Sequence, residues 1–219
     1  MTRTPTSIPL DPNPVRSAAR LAALLLAFGL LGACESTPEV VAVDDPERVW
    51  AEHQAALARI DRWSTIGRIG VQAAGDSWSA GIQWRQNRDD YDIRLRGPLG
   101  QGLMELRGRP GQVEMQTADG VYRAATAEEL MRVHAGWQVP LNGLRYWILG
   151  RPDPDAPVDA FTLDAGGRLA ELHQQGWVIR IDRYDAFDGT DLPTRLTLEN
   201  PRVRAKLVLR SWQTGADAT

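Results

Sequence analysis

The groups that could do covalent or metal chemistry in this sequence are few: His53, His134 and His173 are its only histidines, and Cys34 is its only cysteine. A zinc centre needs three or four such ligands at short, fixed spacing, as in His-Glu-x-x-His, and no pair here has it. Neither a Gly-x-Ser-x-Gly elbow nor a glycine-rich phosphate loop is present, and nothing pairs a serine with a histidine base. The acidic pairs Asp89-Asp90 and Glu128-Glu129 fall in a turn and at a helix start, positions that account for them without chemistry. His53 and His134 fall on helix faces, where packing accounts for them. The sequence therefore calls for no catalytic residue, no metal and no cofactor.

Cys34 is different, because of what precedes it. Arg3, Arg16 and Arg20 lead into the apolar run Leu21 to Leu31, about half the roughly 20 residues a spanning helix needs. This is the pattern of a secretion signal. Leu31-Gly32-Ala33-Cys34 then places a branched apolar residue three before the cysteine with small residues between, which resembles the bacterial lipobox: cleavage before Cys34, followed by acylation of it. A lone cysteine cannot form a disulfide within the chain, so lipid attachment is what gives it a role in an oxidising compartment. The expected division is a signal peptide over 1–33, a lipidated tether over 34–45 and one domain over 46–219. Without the first 33 residues the chain has 22 basic and 27 acidic side chains, a net charge of −5. That mild acidity argues against nucleic acid as a partner.

Asp45-Pro46-Glu47 reads as a helix start, with Asp45 as N-cap and Pro46 in the first turn. Val49, His53, Ala56, Leu57 and Ile60 recur at helical spacing, so a helix is expected to run to about Arg62 and to pack on one face. The period then changes to two. Trp78, Ala80, Ile82 and Trp84 alternate with polar residues, as do Tyr91, Ile93 and Leu95, and Gly and Asp turns punctuate the run. About six strands are expected before residue 125 and five after residue 158, all joinable by hairpins. Between them, Thr126-Ala-Glu-Glu129 is a capping box opening a short helix with Leu130, Val133 and His134 inward. Pro140 opens a second helix over Leu141 to Leu149, stopped by Gly150.

The fold class is thus mainly β: a curled antiparallel sheet of about eleven strands with a helix before it and helices in the middle. Seven of the eight tryptophans (Trp63, Trp78, Trp84, Trp137, Trp147, Trp177 and Trp212) lie in or beside the sheet and its inserted helices. They either fill a barrel core or, since a sheet of this size encloses more volume than its own side chains readily fill, wall a hydrophobic cavity.

Gly97-Pro98-Leu99-Gly100 after the Tyr91 strand, Leu141-Asn-Gly-Leu-Arg-Tyr-Trp-Ile-Leu-Gly150, Gly176-Trp177, Tyr184, Leu192-Pro193 and Lys206-Leu-Val-Leu with Trp212 follow one another in an order and spacing that resembles the LolB family of outer-membrane lipoprotein-sorting receptors, over about Trp50 to Trp212. The resemblance implies an unclosed β-barrel with a helical lid over a hydrophobic cavity. It implies a monomeric receptor, anchored by lipid at Cys34 to the periplasmic leaflet of the outer membrane. Such a receptor accepts lipoproteins from a LolA-type periplasmic carrier and passes their acyl chains into outer-membrane phospholipid, with no reaction catalysed. Leu99, in the turn made by Gly97, Pro98 and Gly100, is the expected membrane-insertion residue. The expected cavity wall is Trp78, Ile82, Trp84, Tyr91, Ile93, Leu95, Met104 and Leu106, with Trp147 and Ile148 from the lid. The absence of aspartate at position 35, where Glu35 stands, is compatible with outer-membrane sorting. The rival readings are a structural lipoprotein with a filled core and a lipid-modifying enzyme using the same pocket.

Overall fold

The computed structural model describes residues 43–73, 75–98, 102–135 and 140–218. Cys34, Leu99, Gly100 and Trp137 lie outside the described residues. The chain is already tied down at Val43, whose N–H donates to the Ala165 carbonyl at 2.9 Å. Helix α1 spans Pro46–Leu57, and the Asp45 carboxylate caps it by accepting from the Arg48 N–H at 3.0 Å. It stops short of the expected end. From Arg62 onward the backbone is claimed by strands on either side, Arg62 pairing with Asn87 and Trp63 with both Gln86 and Thr214. Trp50 and Leu57 are its buried residues. His53 is half-buried, with Nε2 at 2.9 Å from the Asp191 carbonyl. Burial lowers its pKa below the usual histidine value, so the neutral ring donates that bond and serves packing.

Eleven strands follow: β1 Arg62–Ala73, β2 Asp76–Asn87, β3 Asp90–Arg96, β4 Leu103–Arg109, β5 Gln112–Thr117, β6 Gly120–Ala124, β7 Val158–Leu163, β8 Leu169–Gln174, β9 Trp177–Phe187, β10 Thr190–Glu199 and β11 Val203–Thr214. They form one antiparallel sheet in the order β6-β5-β4-β3-β2-β1-β11-β10-β9-β8-β7. The first and last strands pair in the middle, and two meanders run outward to unpaired edges β6 and β7, so the barrel is not closed. Consecutive in the chain yet at opposite edges, β6 and β7 are joined by residues 125–157, which carry the helices across the sheet: α2 Ala127–Leu130, a wide π turn Met131–Ala135, and α3 Leu141–Trp147.

Alternation puts Trp63, Ile69 and Val71 of β1, Ala80, Ile82 and Trp84 of β2, and Ile93 and Leu95 of β3 on the buried face. At one end Trp63 packs against Trp84 and Trp212, with ring centroids 5.1 and 5.4 Å apart. Their polar edges are satisfied: the Trp84 indole N–H donates to Gln86 Oε1 and the Trp212 N–H to the Pro193 carbonyl, each at 2.9 Å. Unpaired, each would cost about 1–3 kcal/mol.

The central seam depends on one glycine. The β1–β11 register shifts between Ile66 and Gly67, and a Cβ at Gly67 would overlap the Val208 carbonyl oxygen and come within 3.0 Å of the Leu209 Cα. Both are backbone atoms of the paired strand and cannot rotate away. Gly67→Ala is expected to destabilise the protein by about 1–3 kcal/mol. A urea unfolding curve should show this as a lower midpoint at unchanged slope; a midpoint equal to wild type would mean the seam can yield.

Candidate functional site: an apolar hollow under two helices

The side chains of the curled sheet face do not meet the crossing helices everywhere. Between them lies a cavity of about 70 Å³ whose lining is wholly apolar in residue type. Ile69 of β1, Ile82 and Trp84 of β2, Ile93 and Leu95 of β3, Met104 and Leu106 of β4, Trp177 of β9, Leu198 of β10, and Ala205 and Leu207 of β11 make the wall. Ala127 and Met131, with Leu141 and Leu144 of α3, make the roof. Strand register brings the wall together in rows: Ile82 faces Leu95, which faces Met104, and Trp84 faces Ile93, which faces Leu106. Among the described residues, no ionisable side chain reaches the lining, and none there can act as an acid, a base or a nucleophile.

Of the ten wall and lid residues expected from the sequence, six (Ile82, Trp84, Ile93, Leu95, Met104 and Leu106) lie on the hollow. The other four do not. Trp78 has the same phase along β2 as Ile82 and Trp84, but it lies outside the described lining and is 36 % exposed. The Tyr91 side chain turns across β4 onto Gly108, where a Cβ would collide with the ring. Trp147 and Ile148 are fully buried, yet they hold α3 in place from behind the lining. Sequence alternation missed Leu198, Ala205, Leu207 and Trp177, because their strands reach the hollow only through the pairing of β1 with β11; it also left out Ile69, although β1 pairs directly with β2. It also missed most of the roof. The π turn after α2 widens the helical repeat, so Leu130 and Met131 turn inward while Val133, expected inside, is 57 % exposed. His134 is exposed and lies against Tyr122, ring centroids 3.8 Å apart.

The roof is pinned unevenly. The Trp147 indole N–H donates to Gln174 Oε1 at 2.7 Å, and the Gln174 amide in turn donates to the Asp153 and Ala156 carbonyls. Arg145 reaches across to Asp89 in the β2–β3 turn, at 2.6 Å. One carboxylate joins the two helices, Glu128 accepting from the Leu141 N–H at 2.9 Å. Among the described residues, 127–135 make no side-chain hydrogen bond to the sheet, so this half of the roof is held chiefly by apolar contact. A water needs about 10–15 Å³ of such space, so the hollow as it stands admits only a handful of methylene-sized groups. A long chain can enter only if the roof lifts, and the half without polar ties is the half that lifts most cheaply.

Near the wall, the Gly97 N–H donates to the Gly102 carbonyl at 3.1 Å, closing the base of the β3–β4 loop. Pro98 in that loop is exposed.

Comparison with known proteins adds lineage to this geometry. The family described as "Outer membrane lipoprotein LolB" matches residues 61–212. An outer-membrane lipoprotein LolB of Nitrosococcus oceani is 39 % identical over 197 residues, covering 90 % of this chain and 98 % of that one. Its counterpart in Pseudomonas aeruginosa is 38 % identical over 190 residues, covering 85 % and 92 %. A solved LolA superfamily protein of Nitrosomonas europaea superposes with a TM-score of 0.47 at 8 % identity, covering 77 % of this chain and 92 % of that one.

Proposed function

The chain belongs to the outer membrane lipoprotein LolB family, and from that membership we propose that it accepts acylated lipoproteins from a LolA-type periplasmic carrier, shelters their acyl chains in its apolar hollow and delivers them to outer-membrane phospholipid. It is an outer-membrane lipoprotein that serves lipoprotein localisation, and not an enzyme. The observation that carries the finer reading is the hollow itself, fifteen apolar residues with no ionisable group among them.

The energetics require such a site. Burying a methylene is worth about 0.8 kcal/mol, so three long acyl chains cost on the order of 30 kcal/mol to expose to water. Free diffusion across an aqueous compartment is therefore excluded, and each stop needs an oily shelter. Transfer proceeds without nucleotide when each successive site holds the chains more favourably, the bilayer being last. The small volume fits the role of a transient holder, which must empty into lipid. Acylated Cys34 holds the protein at the membrane, and Leu99, with Gly97, Pro98 and Gly100, forms the element that meets the bilayer.

The decisive experiment is hand-over of a radiolabelled lipoprotein from its carrier complex to this protein, with and without liposomes. Label should move to this protein in their absence and on to the vesicles in their presence. Label that stays on the carrier in both arms overturns the proposal.

A further inference from the structure

Seven tryptophans are described, and six of them, Trp50, Trp63, Trp84, Trp147, Trp177 and Trp212, are at most 6 % exposed, whereas Trp78 is 36 % exposed. Its position explains the difference. Strand β2 has an unbroken register with β1, so Trp78 has the same phase as Ile82 on the hollow, and its partner across the pair, Val71, is 1 % exposed. On its other flank, pairing with β3 ends at Gly81 and Arg96. There the chain leaves the sheet as the loop whose base Gly97 and Gly102 close. Trp78 thus continues the apolar wall past the described roof residues, at the end of the sheet from which that loop departs and opposite the end sealed by Trp63 and Trp212.

We infer that Trp78 is a bilayer contact, seated at the headgroup boundary and holding the mouth of the hollow on the membrane during delivery. An indole combines a large apolar body with a polar N–H, the combination that favours the interface between hydrocarbon and water. The membrane is the fitting occupant because the protein is anchored to it and because the same end of the sheet carries the loop proposed to enter it. A carrier docked there would instead have to leave before the wall could meet lipid. The inference rests on the delivery reading but has its own readout.

The lipidated protein is reconstituted in phosphatidylcholine vesicles carrying brominated acyl chains, and tryptophan emission is compared between wild type and Trp78→Phe. A quenched component is expected in wild type and expected to vanish in Trp78→Phe, while Trp78→Ser delivers lipoprotein three- to tenfold more slowly with acceptance from the carrier unchanged. Thermal unfolding of both variants near wild type establishes that the fold is intact. Undiminished quenching in Trp78→Phe overturns the inference, as does wild-type delivery by Trp78→Ser, or a defect confined to acceptance. If wild type itself delivers nothing while its Trp78-dependent quenching persists, the membrane contact stands and the delivery reading falls.

Discussion

Leu95→Gln should cost this protein most of its affinity for acylated cargo while leaving a folded, membrane-anchored chain. Leu95 is 8 % exposed and lies in the middle of the row from Ile82 to Met104. In the empty hollow a glutamine amide there retains some access to water. Once a chain fills the space, that amide is stripped of water with no partner in an all-apolar lining, at a cost of about 1–3 kcal/mol, and the leucine contacts are lost as well. The affinity should fall by roughly 5- to 150-fold. Displacement of a fluorescent fatty acid measures this directly, and Leu95→Met, which keeps volume and apolarity, should bind within about twofold of wild type. Stability will fall too, but a native-like melt for the methionine variant separates packing from polarity. Unchanged displacement by a folded Leu95→Gln would remove the β3 wall from the binding site, and with it the reading of the hollow as the place where acyl chains rest.

That row was readable from the sequence for a local reason: Ile82, Trp84, Ile93 and Leu95 belong to strands joined by tight turns, so alternation along each strand also fixes which face it shares with its neighbour. The far wall was not readable in the same way. Ile69 meets Leu207 across a sequence separation that no local pattern encodes, so the residues closing the hollow from β9, β10 and β11 become visible only when the first and last strands are seen to pair. Alternation also assigns a face without saying how far the covering extends, which is why Trp78 and Ile82 have the same phase and opposite environments. The roof was the least readable part. Thr126 does cap α2, accepting from the Glu129 N–H at 3.3 Å, but a π turn follows four helical residues later, and a period of 3.6 then points at Val133 where the structure buries Met131. The expected α1 boundary erred for a related reason: helical spacing continues through Ile60, yet the chain turns after Leu57 and enters β1 at Arg62, where strand pairing on both sides takes over.

The tension between a hollow of about 70 Å³ and the much larger acylated cargo proposed for it bears on how release would occur. Both helices hang from the sheet edges, β6 on one side and β7 on the other. An unclosed barrel can therefore widen without breaking its own strand pairing, because among the described residues the span that bridges the two edges is the roof. Strong polar ties concentrate at the α3 end, through Trp147, Gln174 and Arg145. Entry and exit are then expected beneath the α2 half, beside Met131, where only apolar contacts must be exchanged for contacts with the cargo. Such an exchange replaces one oily surface by another and is close to neutral in free energy, the condition for passing cargo on and not trapping it.

Leu99→Glu is expected to separate acceptance from delivery. The residue falls between Arg96 at the end of β3 and Gly102 before β4, and no residue of that loop is among the described residues lining the hollow. Loading from the carrier should stay within about twofold of wild type, and the melting temperature should be unchanged. Delivery should not. A leucine pressed into hydrocarbon gains roughly 1.5–3 kcal/mol, too little to anchor a protein but enough to bias the mouth toward lipid, whereas a carboxylate must either stay in water or give up its charge. Losing the first and adding the second predicts insertion into liposomes slowed by about ten- to a hundredfold, with loaded protein accumulating upstream of the block. Leu99→Ala, which loses only part of the gain, should fall between. Protonating the glutamate offers an internal control: as pH drops through the ordinary carboxylate range near 4.3 the variant should regain part of its delivery rate, while wild type, which has no titrating group at position 99, should show no matching gain. Equal insertion by wild type and Leu99→Glu at neutral pH would show that the loop does not enter the membrane and that lipid contact must be sought elsewhere on the mouth.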